Sequence, residues 1–211
     1  MEAELLLPET LYLLSIHPEK GGLVNSAGFS LDYSVIAACI MELQQKGNIE
    51  VEGNHIVVRS FKSDNPVCEF ILSKFRKFNR PLKINRWLHR IRYSIRYILK
   101  ELKKGLYNKG FISLEDRKFL FFRWQRPRLV DKKRVRELVD SITAMIFSGQ
   151  KNDGLQPLIA VLEPAGLLKR LVPDRQRRKD ARRRIKLMNL DSAVSIALKK
   201  AIAASHAAVV S

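Results

Sequence analysis

Apolar residues recur at spacings of three and four along most of this chain, the pattern of buried helical stripes separated by polar breaks. The first stripe, Leu5-Leu6-Leu7 onward, carries Pro8, which suits a first helical turn, and runs to about Ile16. His17-Pro18-Glu19-Lys20-Gly21-Gly22 then marks a loop. Val35, Ile36, Cys39, Ile40 and Leu43 define one buried face of a helix over about 33–46, with Asp32 as its N-cap and Lys46-Gly47 as its stop. Between 48 and 58 the pattern changes to two short strands around Gly53-Asn54.

A helix over 67–78 ends at Asn79-Arg80-Pro81, and the longest helix runs from about Lys83 to Asn108, closing at Lys109-Gly110. Phe111–Leu114 and Lys118–Trp124 read as strands around a turn at Glu115-Asp116-Arg117, with at least two phenylalanines of the second strand alternating into the core. A helix ending in Lys-Gly and followed by a hairpin therefore occurs twice. Val135, Leu138, Ile142, Met145 and Ile146 mark the inward face of a helix over 131–147, and Leu155–Leu168 is apolar enough to be central core. Beyond Pro173 a polybasic stretch, 175–186, permits either a helix or a mobile loop, and Asp191 is placed to cap an alanine-rich last helix. Short connections and a shared period predict a mainly α fold over 1–211, a single-domain helical bundle with two small β-hairpins.

Charge changes this picture. The chain has a net charge of +18, yet residues 1–60 hold three basic against eight acidic residues, a net of −5, which leaves +23 on the remaining 151. Such a field favours a polyanionic partner, whether nucleic acid, anionic lipid or acidic protein. No stretch approaches the roughly 18 uncharged apolar residues of a spanning helix, and the acidic start Met1-Glu2-Ala3-Glu4 is unlike a signal peptide. A cytoplasmic protein, lying on a membrane rather than crossing it, is expected. Cys39 and Cys68 sit in apolar surroundings and read as buried free thiols of a reducing compartment.

The 83–104 segment is the most one-sided. Ile84, Trp87, Leu88, Ile91, Ile95, Ile98, Leu99 and Leu102 fall in an arc of roughly 120°, while Lys83, Arg86, Arg90, Arg92, Arg96, Lys100, Lys103 and Lys104 take the other side. Glu101 is the only acidic residue between 70 and 110, so the face lacks the intrahelical pairs of a solvated surface. Arg86, Arg90, Arg92, Arg96 and Lys100 are the candidate anion contacts, because guanidinium donors match phosphate oxygens. Phe119, Phe121, Phe122 and Trp124, beside Arg123, Arg126 and Arg128, form a candidate membrane-contacting hairpin.

No nucleophile elbow, P-loop, dinucleotide fingerprint or zinc-protease helix occurs, and His17, His55, His89 and His206 lie in four different elements. No enzymatic activity, metal or cofactor is expected. The remaining alternative is nucleic-acid binding: helix, Lys-Gly and hairpin also resemble a winged helix, with 175–186 as a phosphate-contacting arm.

Several segments in order resemble the Golgi phosphoprotein 3 family. They are Leu5-Leu6-Leu7-Pro8-Glu9, His17-Pro18-Glu19-Lys20-Gly21, Met41-Glu42-Leu43 through Lys46-Gly47-Asn48-Ile49-Glu50, Leu102 to Ile112, Lys118 to Phe122 with Arg126-Pro127, and Leu158 to Leu168. The resemblance implies a mainly α-helical, non-catalytic protein that binds phosphatidylinositol 4-phosphate, with protein clients or copies of itself as further partners. It implies the cytosolic face of the Golgi in a eukaryote. The chain opens almost at the domain itself, without a long acidic tail, which points to a bacterial relative and hence to a bacterial anionic lipid. The family's head-group pocket maps to Ala27, Ile36, Arg96 and Leu99, of which Arg96 keeps the basic side chain, with Lys100 a neighbouring substitute.

Overall fold

The structure, a computed structural model, describes residues 4–26, 28, 30–78, 81–150, 152–188 and 190–210, except the side chains of Phe122 and of 208–210. α1 (Leu7–Leu14) and α2 (Ser30–Gln45) lead into a hairpin of β1 (Ile49–Glu52) and β2 (His55–Val58). α3 (Pro66–Arg76), α4 (Ile84–Arg92) and α5 (Ile95–Asn108) follow, then a second hairpin of β3 (Ile112–Phe119) and β4 (Phe122–Leu129). α6 (Lys132–Ser148), α7 (Gln156–Leu162), the one-turn α8 (Leu168–Leu171), α9 (Arg175–Leu187) and α10 (Ala193–Val210) complete the described chain. The fold is mainly α with two small antiparallel hairpins, as the hydrophobic pattern implies.

α2 organises the rest. Its pattern predicts one buried face, but every residue from Tyr33 to Leu43 is buried. The small Ser34, Ala37, Ala38 and Cys39 let neighbours approach the remaining sides, and α1, α3, α4, α7 and α10 all pack against it. The helix begins at Ser30, so Asp32 lies in its first turn rather than at its cap, and it faces Arg92. Cys39 and Cys68 are both buried free thiols; burial pushes Cys39 well up and raises Cys68 to about 12.

Two buried carboxylates fix α1 in this frame. Glu9 Oε2 accepts the Leu6 N–H at 2.9 Å and a hydrogen bond from Lys109 Nζ at 2.6 Å, while Glu42 Oε2 accepts the Leu7 N–H at 2.8 Å. Both satisfy donors at the α1 N-terminus, where the helix dipole favours negative charge. Gly105 makes room for this arrangement, since a Cβ there would stand 2.7 Å from Glu9 Oε1. The apolar 155–168 stretch is core as expected, with Leu158–Leu162, Ala165, Leu167 and Leu168 all buried.

The expected long helix over 83–108 is instead two helices, α4 and α5, parted at Tyr93-Ser94. No Pro or Gly causes the break. The Ser94 N–H closes α4 on the Ile91 carbonyl at 2.8 Å, and Ser94 stands at the N-cap of α5 with φ −105°. The two stripes serve different partners. Ile84, Trp87, Leu88 and Ile91 bury α4 on the side of α2 and α10, whereas Ile98, Leu102 and Leu106 bury α5 towards α1 and α3. One straight helix does not serve both.

The second hairpin also departs from expectation. Glu115-Asp116-Arg117 is strand, pairing with Arg126, Gln125 and Trp124, and the turn falls five residues later at Leu120-Phe121. Cross-strand chemistry explains the register: Glu115 ion-pairs with Arg128, and Gln125 Nε2 donates to Asp116 at 3.3 Å, while Arg117 on the same strand adds a 2.7 Å pair to Glu115. Phe119 and Phe121 both reach solvent, so the expected pair of core phenylalanines is not formed. The polybasic 175–186 stretch is helical, with Asp174 accepting the Arg177 N–H at 2.6 Å as the N-cap of α9. Ser192 rather than Asp191 caps α10, its Oγ accepting the Ser195 N–H at 3.2 Å; Asp191 pairs with Lys199 at 2.7 Å.

Candidate functional site

The cations of the 83–104 segment are sorted by the bend. On α4, Arg86 and Arg90 are exposed and, with Phe78, Leu82, His89 and Tyr93, line a cleft of about 440 Å³. The Arg90 guanidinium lies 4.2 Å from the centre of the Phe78 ring, which fixes its direction without neutralising it. Arg92 is differently placed. It is half-buried, 3.8 Å from Asp32 and 5.1 Å from the centre of the Tyr33 ring. Burial raises the Asp32 carboxyl above its ordinary range, and Arg92 opposes that rise. Beside this pair Tyr33 Oη and His89 Nδ1 share a hydrogen bond of 2.9 Å.

On α5, Arg96 and Lys100 are exposed one turn apart and Lys104 continues the row. Among the described residues none of Arg86, Arg90, Arg96 and Lys100 has a carboxylate within ion-pair distance. Tyr93 and Tyr107, at 93% and 55% exposed, stand among these cations, and Tyr97 packs on Phe70 at 4.4 Å between ring centres. Of the four positions the resemblance assigns to a head-group pocket, Ala27 lies outside the described residues. Ile36 is fully buried in α2, Leu99 is half-buried against the core, and Arg96 is the open cation.

The β3–β4 tip is the other distinctive surface. Phe119, Leu120 and Phe121 are 66%, 67% and 96% exposed, and Trp124 is 49% exposed. Arg117, Lys118 and Arg123 surround them. Leu120, a residue with no turn signature of its own in the sequence, has φ 52°, a left-handed conformation that costs a non-glycine residue about 1–2 kcal/mol. A two-residue hairpin turn with positive φ at its first position is ordinarily filled by glycine there. An apolar pair held there in solvent is a local strain of the kind that gathers at functional surfaces. Arg126 belongs to the hairpin base rather than the tip: it is half-buried, and its Nη2 donates to the Gly21 carbonyl at 3.2 Å. The Gly22 N–H joins the same seam through a 2.7 Å bond to the Pro127 carbonyl.

The winged-helix alternative gains no support. α2, the helix preceding the first hairpin, is enclosed and has no face to lay on a nucleic acid. Several cations of α9 are engaged within the protein, Arg182 with Glu163 at 2.7 Å and Arg184 with Asp180 at 3.0 Å. Among the described residues no helix is long and apolar enough to cross a membrane, and no three His, Cys, Asp or Glu side chains gather as a metal site. No curated protein matches the chain. The family model for Golgi phosphoprotein 3 (GPP34) matches residues 7–205. That span opens on the first residue of α1, takes in both hairpins and the α4–α5 bend, and ends inside α10, so the chain belongs to the Golgi phosphoprotein 3 family.

Proposed function

We propose that this chain is a non-catalytic peripheral membrane protein, working from the cytoplasmic side, that settles on anionic lipid surfaces. The observation that carries the reading is the hairpin tip. Phe119, Leu120 and Phe121 are presented to solvent with Arg117, Lys118 and Arg123 around them. Apolar side chains ringed by cations suit the boundary between acyl chains and phosphates. The α4–α5 surface supplies the second element. Arg86, Arg90, Arg96 and Lys100 lack carboxylate partners among the described residues, and each basic side chain near an anionic leaflet contributes about 1 kcal/mol. By family resemblance the favoured head group is phosphatidylinositol 4-phosphate. Arg96 and Lys100 are its best-placed contacts, because Ile36 and Leu99 are apolar and turned to the core.

Vesicle co-sedimentation at low and moderate salt tests this. Charge reversal by Arg96→Glu with Lys100→Glu should weaken binding to anionic vesicles at least about thirtyfold while leaving the thermal melt in place. Phe119→Ser with Phe121→Ser should weaken it about a hundredfold, from two side chains returned to water. Wild-type protein that ignores anionic vesicles, or either pair of substitutions without effect, overturns the proposal. Preference for phosphatidylinositol 4-phosphate over phosphatidylserine at equal vesicle charge would establish head-group selection; equal binding would leave a charge-driven association.

A further inference from the structure

A second gathering of cations lies at the base of the β3–β4 hairpin, on residues separate from the α4–α5 surface. Lys20, Asn25 and Ser26 of the loop after α1, Arg126 of β4, and Lys169 and Arg170 of α8 line a cleft of about 460 Å³. No carboxylate is among its lining residues. Glu19, next to Lys20, is turned to Lys132 at 3.1 Å.

The frame of this cleft is fixed by bonds that leave its donors free. Arg170 spends Nη1 on the carbonyls of Leu13 and Leu14 at the end of α1, and its remaining donors have no protein acceptor among the described residues. Burial lowers Arg170 to about 10, which keeps it charged at neutral pH. His17 Nδ1 accepts the N–H groups of Glu19 at 3.2 Å and Lys20 at 3.1 Å, which leaves the proton of a neutral ring on Nε2 as a further donor. Gly21 and Gly22 hold the loop against β4, at φ 67° and 69°. Lys20 and Lys169 are exposed and make no ion pair among the described residues.

Four cations thus face one concave space with nothing to offset them, unlike α9, where Arg182 and Arg184 each meet a carboxylate. Like charges held together in this way raise one another's free energy until an anion enters. We infer that the cleft binds a phosphate-class anion, with Lys20, Arg126, Lys169 and Arg170 as its cationic wall. Its volume lies within the roughly 300–1,000 Å³ of small-molecule sites, enough for a phosphorylated small molecule or one phosphorylated head group. The site does not depend on the membrane reading.

Calorimetric titration of the whole chain with inorganic phosphate tests it. Wild-type protein should bind, and Lys20→Glu with Lys169→Glu should weaken binding at least about tenfold, since both side chains are exposed and unpaired. Lys179→Glu with Lys200→Glu makes the same change of charge on exposed positions of α9 and α10 and should leave the affinity unchanged. No phosphate binding by the wild type, or equal weakening by the two pairs, overturns the inference. A second arm separates the sources. Preference for phosphatidic acid over phosphatidylglycerol vesicles at matched charge, lost in Lys20→Glu/Lys169→Glu, identifies a lipid head group; equal vesicle binding beside intact phosphate binding identifies a soluble phosphorylated ligand. Failure of Arg96→Glu/Lys100→Glu to weaken vesicle binding bears on the membrane reading alone.

Discussion

The two hairpins start alike and end differently. Each follows a helix closed by Lys-Gly, and in each the lysine meets a buried glutamate: Lys46 pairs with Glu42 at 3.2 Å, and Lys109 with Glu9 at 2.6 Å. β1–β2 is then absorbed by the fold. Ile49 and Ile56 are buried, the edge of β2 is taken up when the Ile56 N–H donates to the Leu82 carbonyl at 3.3 Å, and the Ile84 N–H caps the turn at the Asn54 carbonyl at 2.9 Å. β3–β4 has strands twice as long, buries Ile112 and Leu129 at its base, and turns Phe119, Leu120, Phe121 and Trp124 to solvent at its far end. The same local grammar therefore yields a structural clip when the tip is Gly53-Asn54 and a projecting probe when it is Leu120-Phe121.

Breaking the lysine anchors should show the largest difference. Lys109→Met leaves Glu9, 2% exposed, without its counter-charge and should cost about 3–5 kcal/mol in urea unfolding. Lys46 meets a similarly buried Glu42, but its own side chain is 44% exposed and water can take its place there, so Lys46→Met should cost less, about 1–2 kcal/mol. Equal losses would mean that the two anchors are energetically equivalent.

The glycines at the contact points come next. At Gly21, φ is 67° and a Cβ would meet Arg128 Cγ at 2.6 Å and the Pro127 carbonyl oxygen at 2.9 Å. Gly21→Ala should therefore cost about 2–3 kcal/mol and loosen the β3–β4 base in hydrogen exchange. Gly53, at φ 59° in open space, pays only the backbone term, about 1 kcal/mol for Gly53→Ala.

Acid should produce the smallest effect, and the same one in both hairpins. The side-chain hydrogen bond from Arg59 holds Glu50 below the ordinary glutamate range. At Glu115 desolvation pushes upward, but Arg117 and Arg128 outweigh it, so the net shift is again downward. A depressed carboxylate pKa gives stability that is present above the ordinary value of 4.5 and lost as pH falls through the lowered one. Melting temperatures of wild type, Glu50→Gln and Glu115→Gln should thus differ slightly at pH 6 and converge towards pH 3.

The sequence pattern shows which elements exist more clearly than where they turn. α2 is legible from Val35, Ile36, Cys39, Ile40 and Leu43, but its full enclosure rests on Ser34, Ala37 and Ala38, whose small side chains carry no facial signal. The Tyr93-Ser94 break has no Gly or Pro to announce it, because it is imposed by the differing partners of α4 and α5. The 115–117 segment has the composition of a turn, and its contacts with the opposite strand, Glu115 with Arg128 and Asp116 with Gln125, hold it as a strand. The cations of the candidate surface are equally visible in type, though not in freedom. Arg92 looks like Arg96 along the chain, and it is Asp32, sixty residues earlier, that sets it apart.

The enclosure of α2 also has a kinetic side. Its walls come from both ends of the chain, α1 before it and α10 some 150 residues after it. Contacts of such long sequence separation close late, since loop entropy is spent before they return anything. During synthesis, Ile36, Cys39, Ile40 and Leu43 therefore lack part of their cover until Val194, Leu198 and Ala201 arrive, and the nascent chain passes through a stage with its future centre open to solvent.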